Sequence, residues 1–247
     1  AVEAGPYATE IILDNVSETP KRIRLKWVAD GLAQTWTTVE YPLAPGQQQV
    51  IPDWVEALRS AGDHGIPAKG TRLTGAIFVS VVDGTVSGIS ISARVLNPAP
   101  APVATGRAES TGLYGVHYPA ITTPCLAKQA AWLGGLRQDE ENRTNIAIIN
   151  TGEVDGSSST YLVEIFDGGL GTKAGEALVE QLPWERFKQV DRAIAQIAPG
   201  VKNAYARITV VSGPNPFITY AVVNDGSEPG KRSGDGAYIP SEIVPVQ

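Results

Sequence analysis

Methionine is absent from this chain of 247 residues, and cysteine occurs once, at position 125. Without an initiator Met, the N-terminus reads as the product of processing or of the boundaries chosen for the chain. A single Cys excludes an internal disulfide. Cys125 reads as a buried or idle thiol, with a bridge between subunits and a nucleophile as the alternatives. Histidine occurs only as His64 and His117. A zinc site wants several His or Cys at characteristic spacing, so no metal site is expected. Basic runs never exceed two residues, at Lys21-Arg22 and Lys231-Arg232, and the net charge is −6. Duplex nucleic acid needs a concentrated basic footprint and is not an expected partner. No apolar run reaches the roughly 18 residues of a membrane span, so none is expected, and no signal peptide remains.

Glycine and proline are abundant, at 26 and 18 residues. They favour a fold with many turns over a helical one. Strand signals are frequent. Glu10–Leu13, Arg22–Trp27, Ala76–Val82 and Ile89–Val95 are rich in branched or aromatic residues, and several alternate polar with apolar. The second half repeats the pattern at Asn145–Ile149, Tyr161–Phe166, Ala204–Val211 and Phe217–Val223. Asp-Gly pairs begin at Asp30, Asp83, Asp155, Asp167, Asp225 and Asp235. Both residues tolerate the positive φ of tight hairpin turns. Two short helices are expected, at Pro52–Arg59 with Pro52 as its first residue and at Val190–Ile197, each closing one end of a sandwich.

The two halves share one order. Thr9-Glu-Ile-Ile-Leu-Asp-Asn15 matches Thr144-Asn-Ile-Ala-Ile-Ile-Asn150, and a strand ending in Asp-Gly follows each. Leu43-Ala-Pro-Gly46 and Leu182-Pro183 lead into the helices. Later strands end at Asn97 and Asn224, and the copies close with Val116-His-Tyr-Pro119 and Ala237-Tyr-Ile-Pro240. One supersecondary order used twice means internal duplication. The boundary falls near residue 125, giving domains 1–125 and 126–247. Pro98–Pro102 then reads as a stiff loop within domain one, not as a linker.

Arg143–Asn150, the following Asp-Gly, the short helix, Asn203–Arg207, Tyr220–Asp225 and Asp235–Pro240 together resemble a poorly characterised group of bacterial secreted tandem repeats. Gly134–Gln138 and Gly65–Pro67 extend the resemblance over nearly the whole chain. It implies an exported, extracellular or cell-surface protein of two immunoglobulin-like β-sandwiches. Such repeats lie in long surface proteins, frequently beside hydrolase domains, and the group carries no known active site.

The residues themselves offer no catalytic constellation. Gly88-Ile-Ser-Ile-Ser92 is the nearest approach to a nucleophile elbow, and it lies inside a strand. Gly168-Gly-Leu-Gly171 reads as a hairpin turn, not a phosphate loop. Asp139-Glu-Glu141 reads as a solvated loop and not as a glycosidase pair. His64 reads as a loop residue and His117 as a packed or hydrogen-bonded strand residue. A loose calcium site of Asp/Glu side chains and loop carbonyls stays open. Asn15-Val-Ser17 and Asn142-Arg-Thr144 match the glycan acceptor pattern, without weight in a bacterial chain.

The expectation is therefore an all-β, non-enzymatic structural or interaction protein without cofactor, catalytic residues or metal. Its partner is itself or another cell-surface component. The alternative is a glycan- or surface-binding module accompanying a secreted hydrolase, with Trp36 and Trp184 as glycan contacts. Domain two has a leading apolar strand, Ala130–Leu136, before Thr144, whereas domain one shows none before Thr9. Ile243-Val-Pro-Val-Gln247 runs past the last closing strand. One expected assembly is a head-to-tail fibre in which this segment adds as a strand beside domain one of the next subunit; the alternative is a tail that folds back on its own domain or is a frayed end. Ile243, Val244, Val246, Val2 and Tyr7 are the candidate subunit contacts.

Overall fold

The computed structural model describes residues 2–3, 7–30, 36–62, 66–98, 113–227, 232 and 235–243. The chain divides into two compact units, Ala1–Ala120 and Ile121–Gln247. The first contains β1 (Val2–Glu3), β2 (Ala8–Asn15), β3 (Lys21–Ala29), β4 (Trp36–Leu43), β5 (Gln48–Ile51), α1 (Trp54–Ala61), β6 (Leu73–Val81), β7 (Ile89–Pro98) and β8 (Leu113–Pro119). The second contains β9 (Ala130–Arg137), β10 (Asn142–Asn150), β11 (Ser159–Asp167), β12 (Lys173–Leu182), β13 (Phe187–Val190), α2 (Ala193–Ile197), β14 (Asn203–Ser212), β15 (Phe217–Asp225) and β16 (Gly236–Pro240).

All ladders are antiparallel. The first unit has sheets ordered β5-β2-β7-β8 and β1-β6-β3-β4; the second has β13-β10-β15-β16 and β12-β11-β14-β9. Adding eight to each strand number of the first unit reproduces the second. Alternation explains the burial. In β3, Ile23, Leu25 and Trp27 face inward, while Arg22, Arg24 and Lys26 lie between them on the outer face. They meet Ile11 and Leu13 of β2 from the other sheet in one hydrophobic cluster. In the second unit, Tyr161, Val163 and Ile165 of β11 meet Ile146 and Ile148 of β10 in the same way. Trp27 and Trp54 pack edge to face at 5.7 Å, and the Trp54 indole N–H donates to Tyr41 Oη at 3.0 Å.

Asn15 and Asn150 tie the two sheets of each unit together. Asn15 ends β2, and its Nδ2 donates to the carbonyls of Thr19, Leu43 and Ala44 at 2.9, 3.2 and 3.1 Å. Asn150 ends β10 and donates to Ser157 and Leu182 at 3.1 and 3.0 Å. Leu43 and Leu182 end β4 and β12, in the opposite sheets. Asn15 is fully buried, so its glycan acceptor pattern is incidental.

Several local expectations need correction. Asp53, not Pro52, starts α1: its side chain accepts the N–H of Glu56, and the helix closes on left-handed Gly62. The second helix is cut to Ala193–Ile197. At the β11–β12 turn the left-handed residue is Gly171 (φ 70°), not the Gly of the Asp-Gly pair. Asp167 Oδ1 instead accepts the N–H groups of Gly169 and Leu170 at 2.7 and 3.0 Å. The first unit is not wholly without a leading strand: β1 pairs with β6 as Val2↔Thr74 and Glu3↔Leu73. The Pro98–Pro102 run leads from β7 towards β8, its neighbour in the same sheet; residues 99–112 lie outside the described residues.

Candidate functional site: the free edge of β6

A strand at a sheet edge offers unpaired N–H and C=O groups, and proteins blunt such edges with charge, proline, bulges or brevity. Most edge strands here are blunted. β4 carries Glu40 and Pro42, and β12 carries Lys173, Glu176 and Glu180. β5 and β13 have four residues each, β8 and β16 end in proline, and β9 contains Gly134-Gly135. β6 differs. Beyond the β1 pairing, its edge runs Ala-Ile-Phe-Val-Ser-Val from Ala76 to Val81 with neither charge nor proline. Among the described residues no strand pairs there.

The polarity of this edge follows from its other side. Asp30 N–H donates to the Thr74 carbonyl at 2.6 Å, and Val82 N–H donates to the Arg22 carbonyl at 2.8 Å. Even-numbered residues of β6 therefore point their backbone groups at β3. Odd-numbered residues point theirs at the free edge, because both groups of a strand residue share one side. Ile77, Val79 and Val81 are also the residues opposite Trp27, Leu25 and Ile23, so their side chains face the core.

The second unit shows what this seam lacks. Ile208 of β14 faces Val163 as Val79 faces Leu25. There β9 lies along β14, setting Ala131 opposite Ile208 and Leu133 opposite Ala206. Ala131, Leu133, Ala206 and Ile208 are all 0 % exposed, whereas Val79 is 39 % exposed despite facing the core. Ile77 and Val81 are only partly buried. The Trp27 indole N–H, on a residue 1 % exposed, has no hydrogen-bond partner among the described residues. It lies beneath Gly75, where a Cβ would stand 2.8 Å from Nε1 and 2.2 Å from the Val28 carbonyl oxygen.

The candidate residues scatter around this picture. Val2 sits in β1 at the start of the β6 edge, and Tyr7, half-buried, immediately precedes β2. Ile243 is 43 % exposed, while Val244 and Val246 lie outside the described residues. Just before them, Glu242 exchanges both backbone hydrogen bonds with Trp132, each 2.8 Å, so the segment turns back onto β9 at that residue. Trp36 begins β4 opposite Val28. Trp184 is half-buried over the 152–156 loop: a Cβ on Gly152 would meet its ring at 3.2 Å, and one on Gly156 would lie 3.6 Å from its Nε1.

Cys125 is exposed, not buried, because its short 3-10 turn carries no buried residue. His117 is exposed on β8 opposite Arg94, and His64 lies outside the described residues. Asp139 Oδ1 accepts the N–H groups of Glu141 and Asn142 at 2.8 and 2.7 Å, and Glu141 pairs with Arg232 at 2.6 Å. These carboxylates shape a turn.

The outer face of the β9–β14–β11 strands carries an aromatic and ionic cluster that sequence reasoning missed. Phe166 and Tyr205, opposite each other in the ladder, stack at 4.9 Å. The Arg207 guanidinium lies 5.4 Å from the Trp132 ring centre and donates from Nε to Glu164 at 2.6 Å. That hydrogen bond chiefly holds the Glu164 carboxyl below its usual range, against the opposing effect of burial, and the charges of Arg207 and Lys173 add to it. The rings thus pack against one another and against Arg207. No family model, curated protein or solved structure matches this chain.

Proposed function

We propose that this chain is a non-enzymatic, extracellular structural or interaction protein that assembles head to tail by accepting a strand at β6. Its two units are read as duplicated, immunoglobulin-like β-sandwiches, a reading supported by the common strand order and the matching Asn15 and Asn150 latches. The extracellular setting rests on the sequence resemblance. The observation that carries the function is the core-facing Val79 at 39 % exposure where its counterpart Ile208 is at 0 %. An added strand supplies both the missing ladder and the missing apolar side chains. Acceptor and donor lie on different parts of the chain, so the contact is heterologous and propagates into rings or filaments.

Sedimentation of the whole protein over a concentration series tests this reading. The wild type associates, and Val79→Lys, which places a charge in the seam, keeps it monomeric with an unchanged far-UV spectrum. A wild type that stays monomeric throughout, or a Val79→Lys variant that associates equally, overturns the proposal.

A further inference from the structure

The strand accepted at β6 has to meet three demands. It continues the antiparallel direction that β1 begins at Thr74. It directs apolar side chains inward opposite Ile77 and Val79. The inward residues must also carry N–H groups, because the outward-pointing backbone groups of β6 belong to Ile77, Val79 and Val81. A proline can therefore stand only opposite an even-numbered residue of β6, where its missing N–H faces away from the ladder.

We infer that the strand is the segment Ile243–Gln247 of a second copy, with Val244 opposite Val79 and Val246 opposite Ile77. The inference rests on the association reading above and names its donor. In Ile243-Val-Pro-Val-Gln247, the frame that directs the N–H of Pro245 away from β6 is the same frame that points Val244 and Val246 into the seam. Shifting the pairing by one residue turns the valines outward and leaves Pro245 facing a carbonyl it cannot serve. Shifts of two residues fail for other reasons. Towards Val81, Glu242 comes level with Asp83, carboxylate against carboxylate. Towards Gly75, Glu242 comes opposite Val79, yet its N–H and C=O are both already bonded to Trp132 of its own unit. In the assigned register Pro245 lies opposite Phe78, Ile243 opposite Ser80, and Gln247 opposite Ala76, which leaves Thr74 to Val2.

The filling is also appropriate. The second unit closes its seam with Ala131 against Ile208 and Leu133 against Ala206, small against large. The assigned register closes the first with Val244 against Val79 and Val246 against Ile77, pairs of intermediate size that occupy similar space. Glu242 is paired with Trp132 of its own unit, so the assigned donor begins after it, at Ile243.

Disulfide trapping between two whole-length proteins tests the register, in a Cys125→Ser background because that thiol is exposed. One protein carries Ser80→Cys and the other Ile243→Cys, both at exposed positions. Opposed residues at a non-hydrogen-bonded antiparallel site lie within disulfide reach. Mixing under mild oxidation gives a cross-linked heterodimer about tenfold faster than pairing Ile243→Cys with Phe78→Cys or Val82→Cys, which lie one ladder step away. Faster trapping at position 78 or 82 overturns the register and leaves the association reading standing. Trapping at none of them, in a protein whose association Val79→Lys abolishes, means a different donor and overturns the inference alone. A disulfide that forms only within a chain carrying both substitutions means the segment serves β6 of its own chain, and overturns the second-copy assignment. A wild type that never associates defeats both readings.

Discussion

Replacing Asn150 by alanine removes the latch of the second unit without disturbing its surface. Asn150 is 0 % exposed, and its Nδ2 donates to Ser157 and Leu182 carbonyls at 3.1 and 3.0 Å. The Leu182 bond is fully buried, so water cannot replace the lost donor. A buried carbonyl left without a partner costs about 1–3 kcal/mol, and the half-buried Ser157 carbonyl adds roughly 1 kcal/mol. Asn150→Ala should therefore destabilise the second unit by about 3 kcal/mol. In a unit of this size that lowers the melting temperature by roughly 10 °C. Asn150→Asp gives the sharper comparison. It keeps an acceptor for the Gly152 N–H but sets a negative charge against two carbonyl oxygens, so it should cost more than alanine. Urea unfolding followed by far-UV circular dichroism measures both variants. A loss under about 0.5 kcal/mol for alanine, or an aspartate variant as stable as wild type, refutes the latch.

Gly175→Ala should destabilise the second unit by about 1–3 kcal/mol in the same unfolding assay, because its Cβ would stand 2.0 Å from the Ile197 carbonyl oxygen at the end of α2. Burial pushes the Tyr161 phenol up to about 12, so the neutral side chain's contribution to stability is complete below the unfolded value near 10 and disappears as pH rises through about 12. Burial also raises Tyr41 and Tyr238, so phenolate absorbance should show a late-titrating group of tyrosines, with the Tyr161 ionisation accompanying loss of structure. The Glu164 carboxyl is held low, so its contribution is present above the ordinary Glu range and is lost as pH falls through the lowered value. Removing the donor with Arg207→Met should raise the Glu164 titration midpoint, read by carboxyl-carbon NMR.

The strands that alternate cleanly are legible in the sequence, as Arg22–Trp27 in β3 and Asn145–Ile149 in β10 show. β12 is harder to read, because Lys173-Ala-Gly-Glu-Ala-Leu-Val-Glu-Gln-Leu182 is rich in helix-favouring residues. Its pairing with β11 decides its conformation, a contact that local preference does not encode. The Asn15–Asn150 correspondence is visible as a repeat, but its purpose is not: the carbonyls served lie 28 and 32 residues away. The edge of β6 shows the same limit. Ala76–Val82 reads as a strand from its composition, yet which of its groups face an empty side depends on the register with β3. The Trp132–Phe166–Tyr205 cluster needs three strands to come together before it exists.

Amide hydrogen exchange along β6 tests the central claim most directly. In dilute protein the amides of Ala76, Phe78 and Ser80 should be protected, because they point at β3, while those of Ile77, Val79 and Val81 should exchange freely. At concentrations where the protein associates, Ile77 and Val79 should become protected in step with assembly. Protection of all the β6 amides in the dilute monomer, or free exchange of Ile77 and Val79 in the assembled protein, would contradict the account.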